Sequence, residues 1–387
     1  MHSTDELALV MSGGGARAAY QVGCLRALSR HFPDIATPII TGVSAGAINA
    51  GFLASRSGLL ASRLEELTEL WETLEPERVF QVGSFSLLRN ALRTGAKLVS
   101  GGHIAAPGTK ALVDTSPLRK LLEDRLGGPD GRLRGVTENI ASGALHALAI
   151  TTSSYTTGQS ITWVDGREID LWERAHRTSA HSELTVDHIM ASASLPIFFP
   201  AVRVGPHWYG DGGIRLTAPL SPAIHLGATR ILAISTRYVR SRAEADQAEI
   251  VDYPPPAQII GMIFNAIFLD MFDADALTLA RVNRLIDCMP PKDRGPLRKV
   301  DLLVLRPSRD LGQLANEYES RLPGPFRFMT RGLGTRETKT NDLLSLLMFQ
   351  SDYLTRLIEI GEEDAEARRE DIARFLAGGA GGSPPPV

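Results

Sequence analysis

Two glycine-rich elements near the start of the chain place the strongest constraint on its fold. Residues 13–17 (GGGAR) and 42–46 (GVSAG) each follow a short apolar run and precede an apolar stretch with helical spacing. A glycine turn at a helix start leaves backbone N–H groups unblocked, and these can hold an oxyanion. The second element places Ser44 on a sharp strand-to-helix turn, where a nucleophile would be held. Together the two elements indicate acyl transfer through a covalent serine ester.

The pattern along the chain predicts an α/β fold. Apolar runs predict strands at residues 7–12, 38–41, 144–152, 160–164, 208–209, 230–235 and 302–305. Helical spacing predicts helices at residues 18–31, 45–54, 60–74, 117–125, 185–194 and 219–225, and a chiefly helical region from about residue 258 that ends in one helix over residues 341–376. Because strands alternate with helices from the start, we expect βαβ units and a mostly parallel central sheet.

The composition excludes some classes of function. The chain has 387 residues, of which 43% are apolar and 22% charged, and its net charge of −3 gives no reason to expect a nucleic-acid partner. Cys24 and Cys288 stand in apolar, helix-like surroundings, which predicts buried free thiols and no disulfide. The first residues (MHSTDE) are acidic where a secretory signal would be basic, so we expect a cytoplasmic location.

A base for Ser44 is harder to identify than the serine. The GxSxG pattern alone fits a nucleophile and a helix-capping serine equally well. An α/β-hydrolase would place its histidine late in the chain, whereas here the histidines end at His225. His207 and His225 therefore stay open as partners, with a core or surface position the better interpretation of both. Asp211, in residues 208–213 (WYGDGG), is the better candidate.

Local sequence does not set Asp211 apart from an ordinary turn residue. Asp-Gly after an alternating strand is also the signature of a hairpin turn. Asp165 and Gly166 form the same dipeptide after residues 161–164, and there we expect only a turn.

Four segments in this order resemble the patatin-like phospholipase family: residues 13–17, 42–46, 191–200 (ASASLPIFFP) and 211–213 (DGG). The resemblance implies a three-layer α/β/α fold and a Ser–Asp dyad that hydrolyses phospholipids or other fatty acyl esters without a metal or cofactor. Carried over by position, it makes Ser44 the nucleophile and Asp211 its base. It also makes the backbone N–H groups of Gly14, Gly15 and Ala16 the oxyanion hole.

The resemblance covers residues 7 to about 235, and the rest of the division follows from helical spacing and from the Gly/Pro-rich end of the sequence. We expect a catalytic domain over residues 1–257, a mainly helical region over 258–377 that packs on it or extends it, and a disordered tail over 378–387. The family's glycine loop usually ends in glycine where this chain has Ala18. A first-turn helical position tolerates alanine, so we expect an intact loop. Arg17 would pair with a lipid phosphate or form a structural salt bridge.

Two segments bear on contact with a membrane. Arg89, Arg93 and Lys97 recur on one face of a possible helix over residues 84–98, which could be an interfacial lid or a packed surface helix. Residues 259–272 form the longest apolar stretch, which is too short to span a bilayer and could line an acyl pocket or be buried. We expect peripheral contact with a membrane at most.

Three other functions stay open. Gly13, Gly15 and Ala18 also fit a dinucleotide fingerprint, but Asp34 precedes the second strand, where an acidic residue should follow it. An acyltransferase would use the same acyl-enzyme. A non-catalytic lipid-binding module is favoured only if Ala18 distorts the glycine loop.

Overall fold

The computed structural model describes residues 6–81, 111–128, 130–246, 253–332, 334–335 and 340–378. The strands are β1 (Leu7–Met11), β2 (Ile39–Val43), β3 (Ala147–Ser154), β4 (Ser160–Gly166), β5 (Glu173–Arg174), β6 (Arg177–His181), β7 (Val202–Val204), β8 (His207–Asp211), β9 (Arg230–Ile234) and β10 (Asp301–Leu305). The first helices are α1 (Ala19–His31), α2 (Ala45–Ala54), α3 (Leu60–Glu72), α4 (Pro76–Val79), α5 (Ser116–Leu126), α6 (Val136–Ser142), α7 (Val186–Ser192), α8 (Ser221–His225) and α9 (Arg242–Ala245). The later ones are α10 (Pro256–Phe268), α11 (Asp270–Cys288), α12 (Leu311–Tyr318), α13 (Gly324–Gly332), α14 (Asp342–Leu347), α15 (Ser351–Ala367) and α16 (Arg369–Leu376).

The centre of the molecule is one mixed, mostly parallel sheet in the order β10-β9-β1-β2-β3-β4-β6-β5. The five neighbouring strands from β10 to β3 are parallel to one another, and β4 pairs antiparallel with β3. β8 pairs antiparallel with the end of β3 and with β7. The prediction of an α/β fold with a mostly parallel sheet is confirmed.

Helices cover both faces of the sheet, as the alternation of side chains in β1 shows. Leu9 packs into a large core with α1, α2, α3 and α15, whereas Ala8 and Val10 pack into a smaller core with α8 and α11. Since the parallel strands are buried on both sides, they read as continuous apolar runs in the sequence. This is the expected three-layer α/β/α arrangement.

The C-terminal helical region shares the core of the rest of the chain. β10 extends the parallel sheet at one edge, next to β9. α15 packs on α1 at two glycines, where a Cβ on Gly23 would collide with Ile358 O and one on Gly361 with Tyr20 O. The absence of both side chains lets the two helices approach closely. The boundary at residues 257 and 258 stays a prediction.

One long helix over residues 341–376 was a wrong prediction. The structure has three helices there, α14, α15 and α16, with breaks at Met348 and Arg368. The breaks have tertiary causes, because Met348 and Phe349 are buried in the core and Arg368 Nη1 donates to Val304 O. Helical periodicity alone does not register such breaks.

Two single-residue predictions were also wrong. Asp165 lies within β4 instead of a turn, and its Oδ2 accepts a hydrogen bond from Leu184 N, which makes it a buried structural residue. Cys24 is a buried free thiol as predicted, but Cys288 is free and exposed because it ends α11 on an outward side near the exposed Leu285.

Some strands of the structure were not predicted, and some predicted segments lie outside the described residues. The short strands β5, β6 and β7 were not predicted, since polar segments such as RTSAH in β6 lack an apolar alternation. The basic segment over residues 84–98 and the tail from residue 379 are outside the described ranges.

Within the described ranges one helical stretch, Pro256–Cys288, is long and apolar enough by length and composition to cross a membrane.

Candidate active site

Ser44 lies at the turn between β2 and α2, near the centre of the parallel sheet. Its backbone has φ 56° and ψ −133°, a strained conformation for a residue with a side chain. The neighbouring glycines make this turn possible, because a Cβ on Gly46 would lie 2.5 Å from Met11 O and one on Gly42 would lie 2.6 Å from Gly46 O. The turn therefore has the geometry of a nucleophile elbow.

The side chain of Ser44 is hydrogen-bonded to Asp211. Ser44 Oγ donates to Asp211 Oδ2 over 2.6 Å, and both residues are buried. Neither histidine left open by the sequence joins them, since the His207 ring faces Tyr209 and the His225 ring stacks on Trp172.

Burial raises the pKa of the Asp211 carboxyl group. Desolvation raises its pKa to about 7, although hydrogen bonds from Ser44 and from Gly213 N–H (2.9 Å, to Oδ1) act in the opposite direction. A carboxylate with a pKa near neutrality is a far better proton acceptor for a hydroxyl than an exposed aspartate, whose pKa is about 3.9.

The pairing of strands delivers Asp211 to the serine. β8 pairs with the end of β3, with Asp211 opposite Thr152, and β3 lies beside β2. The two glycines that follow have no room for side chains, because a Cβ on Gly212 would collide with Thr151 O and one on Gly213 with the Phe268 ring. The DGG sequence thus reflects close packing around the carboxylate.

Ser192 is a site residue that the sequence did not single out. Its Oγ accepts a hydrogen bond from Ser44 N–H at 2.9 Å and donates to Thr151 O at 2.7 Å. This fully buried hydroxyl at the end of α7 therefore ties the backbone of the serine turn to β3. The sequence indicated Ser192 only through its place in the segment 191–200, and that segment also contains Ser194, from which the local sequence does not distinguish it.

The glycine loop, residues 13–16, lies directly beside Ser44. Gly14 has φ 151° and Gly15 has φ 55°, conformations that favour glycine. A Cβ on Gly13 would lie 2.9 Å from Ser44 Cβ, so the loop approaches the serine closely. The following 3₁₀ turn, Gly15–Ala18, begins with N–H groups that have no acceptor within the turn, and the first that has one is Arg17 N–H, which donates to Gly14 O.

Ala18 does not distort this loop. It has φ −66° and lies in the 3₁₀ turn, a conformation that alanine adopts without strain. The prediction that alanine is tolerated at this position is confirmed.

A buried network of hydrogen bonds connects Ser12, just before the glycine loop, to three helices. Gln21 Nε2 donates to Ser12 O at 2.8 Å, and Asn49 Nδ2 donates to Gln21 Oε1 at 2.9 Å. Trp71 Nε1 in turn donates to Asn49 Oδ1 at 2.8 Å. The network joins α1, α2 and α3 to the strand end that carries the loop.

Arg17 is engaged in a structural ion pair. Its buried guanidinium donates to Asp342 Oδ1 and to Ser345 Oγ, each at 2.7 Å. Of the two roles considered for it, the structure shows the salt bridge. The contact fixes α14 against the glycine loop, where a Cβ on Gly15 would collide with Leu346 O.

An apolar pocket opens beside the serine, and we call it the acyl pocket. Ser44, Gly14 and Gly15 contribute its polar end. Its apolar wall consists of Ala45, Ile48, Leu70, Trp71, Leu74, Val79, Leu118, Leu121, Leu122, Ala193, Leu195, Phe199, Phe268, Leu346, Leu347 and Phe349. Such a lining suits a hydrocarbon chain and offers few partners to a polar one.

Several solved structures are similar to this one at low sequence identity. Human GIVD cytosolic phospholipase A2 in complex with methyl gamma-linolenyl fluorophosphonate is 14% identical with a TM-score of 0.44, and the match covers 97% of this chain and 59% of that one. VipD from Legionella pneumophila is 15% identical with a TM-score of 0.31, covering 98% of this chain and 78% of that one. The ExoU–SpcU complex of Pseudomonas aeruginosa is 16% identical with a TM-score of 0.27, covering 96% of this chain and 60% of that one. The chain thus spans about three fifths of the length of the human protein.

No curated protein matches the sequence. The family model for patatin-like phospholipases does match, over residues 9–224, which is more than half of the chain. The matched range contains the glycine loop, Ser44, Ser192 and Asp211. The chain therefore belongs to the patatin-like phospholipase family.

Proposed function

We propose that this protein is a serine lipid acyl hydrolase, an esterase of the phospholipase A or lysophospholipase type. The observation that carries the proposal is the 2.6 Å hydrogen bond from Ser44 Oγ to a fully buried Asp211 at the polar end of the acyl pocket. A nucleophile, its base and a group of N–H donors are the parts that acyl transfer needs.

In the first step Ser44 would become acylated. Its Oγ attacks the ester carbonyl carbon while its proton passes to Asp211 Oδ2. The carbonyl oxygen gains negative charge, and the N–H groups of Gly14, Gly15 and Ala16 stabilise it. Removing one such donor typically costs about 3 kcal/mol in the transition state. The bond to the alcohol oxygen then breaks, and Asp211 returns its proton to that leaving group.

In the second step water would release the fatty acid. The water oxygen attacks the acyl carbon while Asp211 accepts a proton from the water. Asp211 then returns that proton to Ser44 Oγ as the ester bond between Ser44 and the acyl group breaks. The site regains its starting state. Besides the substrate and this water, the proposed steps use only the side chains and backbone of this chain.

The acyl pocket supports a phospholipid or another fatty acyl ester as the substrate. Apart from Ser44, the side chains that line it among the described residues are apolar, and the buried cation Arg17, which follows the glycine loop, is already paired with Asp342. The substrate would therefore be recognised through its acyl chain, and peripheral contact with a membrane follows from where such lipids reside. The cytoplasmic location stays a prediction, which cell fractionation tests.

The proposal is tested with a panel of esters of increasing acyl length, assayed in EDTA with the wild type and with Ser44→Ala and Asp211→Asn. Both variants should lose esterase activity while keeping the wild-type circular dichroism spectrum. A fluorophosphonate probe should label the wild type and not Ser44→Ala. Unchanged turnover in either variant would refute the assignment.

The same assay distinguishes the functions left open by the sequence. Ester products formed from an added alcohol or thiol would identify an acyltransferase, and absence of labelling with retained lipid binding would identify a binding module. Bound NAD in the purified protein would favour the dinucleotide interpretation.

A further inference from the structure

Two buried hydroxyl groups meet at the carbonyl oxygen of Gly13, the first residue of the glycine loop. Thr236 Oγ1 donates to Gly13 O at 2.6 Å, and Ser12 Oγ donates to the same oxygen at 3.2 Å. The backbone N–H of Thr236 in turn donates to Ser12 Oγ at 3.2 Å. Thr236 is fully buried and Ser12 nearly so, which places these hydrogen bonds away from solvent. Neither residue takes part in the chemical steps proposed for Ser44 and Asp211.

The order of the strands determines on which side of the glycine loop each group lies. In the sheet β1 lies between β9 and β2. Thr236 follows β9, the glycine loop follows β1 and Ser44 follows β2. The loop therefore passes between Thr236 and Ser44. Close contacts are present on both sides, since a Cβ on Gly14 would collide with Thr236 Oγ1 and one on Gly13 would lie 2.9 Å from Ser44 Cβ.

The hydrogen bonds to Gly13 O also set the direction of Gly14 N–H. The two groups belong to one trans peptide unit, in which the C=O and N–H bonds point in opposite directions. Holding the oxygen toward Thr236 therefore turns the N–H toward the side of the loop on which Ser44 lies. In the described part of the chain this N–H has no hydrogen-bond acceptor, although Gly14 lines the acyl pocket beside the serine. It is thus available to an oxyanion.

We propose that Thr236 is a positioning residue for the oxyanion hole, acting through the peptide unit between Gly13 and Gly14. The inference rests on the proposed function, in which Gly14 N–H is one of the donors to the developing oxyanion. Rotation of this peptide unit would turn the N–H away from the oxyanion, and glycines resist such rotation little because they populate many backbone conformations. The Thr236 hydroxyl opposes the rotation, since turning Gly13 O away would leave buried hydroxyls without an acceptor.

The test compares two substitutions of Thr236 with a matched control. Thr236→Val keeps the branched side chain and removes the hydroxyl, whereas Thr236→Ser keeps the hydroxyl. Thr330→Val is the control, because Thr330 is also buried and its Oγ1 also donates to a backbone carbonyl, Arg327 O, but within its own helix α13. All variants are assayed with a soluble short-chain ester, and thermal melting confirms that they fold.

Thr236→Val should lower kcat about 10- to 100-fold with little change in KM, because the donor acts on the transition state more than on the bound ester. Thr236→Ser should keep kcat within about threefold of wild type, and Thr330→Val should not change it. Wild-type kcat in Thr236→Val would overturn the proposal. So would equal falls in Thr236→Val and Thr236→Ser, because the size of the side chain would then explain the effect.

An inhibitor that forms an oxyanion distinguishes positioning from a general structural effect. Ser44 Oγ adds to the carbonyl carbon of an alkyl trifluoromethyl ketone, its proton passes to Asp211, and the ketone oxygen takes the negative charge. Thr236→Val should raise the inhibition constant of this ketone by about the factor by which it lowers kcat. It should not change binding of a fatty alcohol of the same chain length, which forms no oxyanion. A fall in kcat with an unchanged inhibition constant would overturn the proposal.

Failure of the proposed function gives a different result. A wild-type protein that neither hydrolyses the ester nor binds the trifluoromethyl ketone would refute the esterase. The hydrogen bond is tested in that protein too, because loss of the Thr236 hydroxyl should shift the NMR signal of the Gly13 carbonyl carbon, whereas Thr330→Val should not. An unshifted signal in Thr236→Val would overturn the orienting role of Thr236 whatever the activity of the protein.

Discussion

The hydroxyl of Ser192 accepts a hydrogen bond from the backbone N–H of Ser44 across 148 residues of sequence, at 2.9 Å. The same hydroxyl donates a hydrogen bond to Thr151 O in the central sheet. Since Ser44 has a strained φ of 56°, this contact is one of the interactions that hold the turn in place. Ser192 touches no reacting atom in the proposed mechanism and acts as a positioning residue.

Ser192→Ala should lower kcat by about 10- to 100-fold with little change in KM, because the turn loses an anchor and Ser44 Oγ shifts from its line of attack. The buried Ser44 N–H also loses its acceptor, which should lower the free energy of unfolding by about 1–3 kcal/mol. Steady-state kinetics with a soluble ester, together with urea unfolding, measure both effects.

Ser194→Ala is the matched control for that variant. Ser194 is also buried and two residues away, but its Oγ donates only within its own segment, to Met190 O at 2.7 Å. It should keep wild-type kcat. An equal fall in kcat for the two variants would show that Ser192 has no special role.

The rate should depend on pH through Asp211. Burial raises the pKa of this group to about 7, and only its ionised form accepts the serine proton. We therefore expect kcat/KM for a non-ionising ester to rise about tenfold per pH unit up to about pH 7 and then to level off. A midpoint near pH 4, typical of an exposed carboxyl group, would contradict the role given to burial.

The same raised pKa predicts how stability changes with pH. Because the pKa is higher in the folded than in the unfolded protein, the folded state binds the proton more tightly and this group's stabilisation is lost as pH rises from about 4 to 7. Asp211→Asn removes the buried charge. It should therefore raise the free energy of unfolding relative to wild type at pH 8, by up to about 4 kcal/mol, and change it little at pH 4. Parallel stability curves for the two proteins between pH 4 and 8 would be inconsistent with this.

Gly15→Ala should inactivate the enzyme. A Cβ at Gly15, where φ is 55°, would collide with Leu346 O and displace the loop that carries the proposed oxyanion donors. The loss of one donor predicts a fall in kcat of about 100-fold or more.

Gly143→Ala is the control that distinguishes the steric collision at residue 15 from backbone strain. Gly143 also has a positive φ, 80°, but a Cβ there would meet no atom within 4 Å. This variant should lose about 1 kcal/mol of stability and keep its activity. Inactivation by both substitutions would mean that strain alone explains the effect at Gly15.

Much of the fold could be predicted from the sequence because its signals are local. The buried strands are short apolar runs, and β1, β2, β3, β9 and β10 were each predicted to within a few residues. The helix breaks at Met348 and Arg368 were missed because they are caused by contacts with distant parts of the chain.

By itself, the sequence determined the two glycine turns and the position of Ser44 at one of them, since steric limits on the backbone act between neighbouring residues. Only the tertiary structure decided which carboxylate meets the serine. Asp165 and Asp211 stand in the same Asp-Gly context, yet Asp165 accepts from Leu184 N while Asp211 reaches Ser44. The difference arises because β8 pairs with the end of β3 next to β2, and strand pairing is set by the packing of the whole sheet.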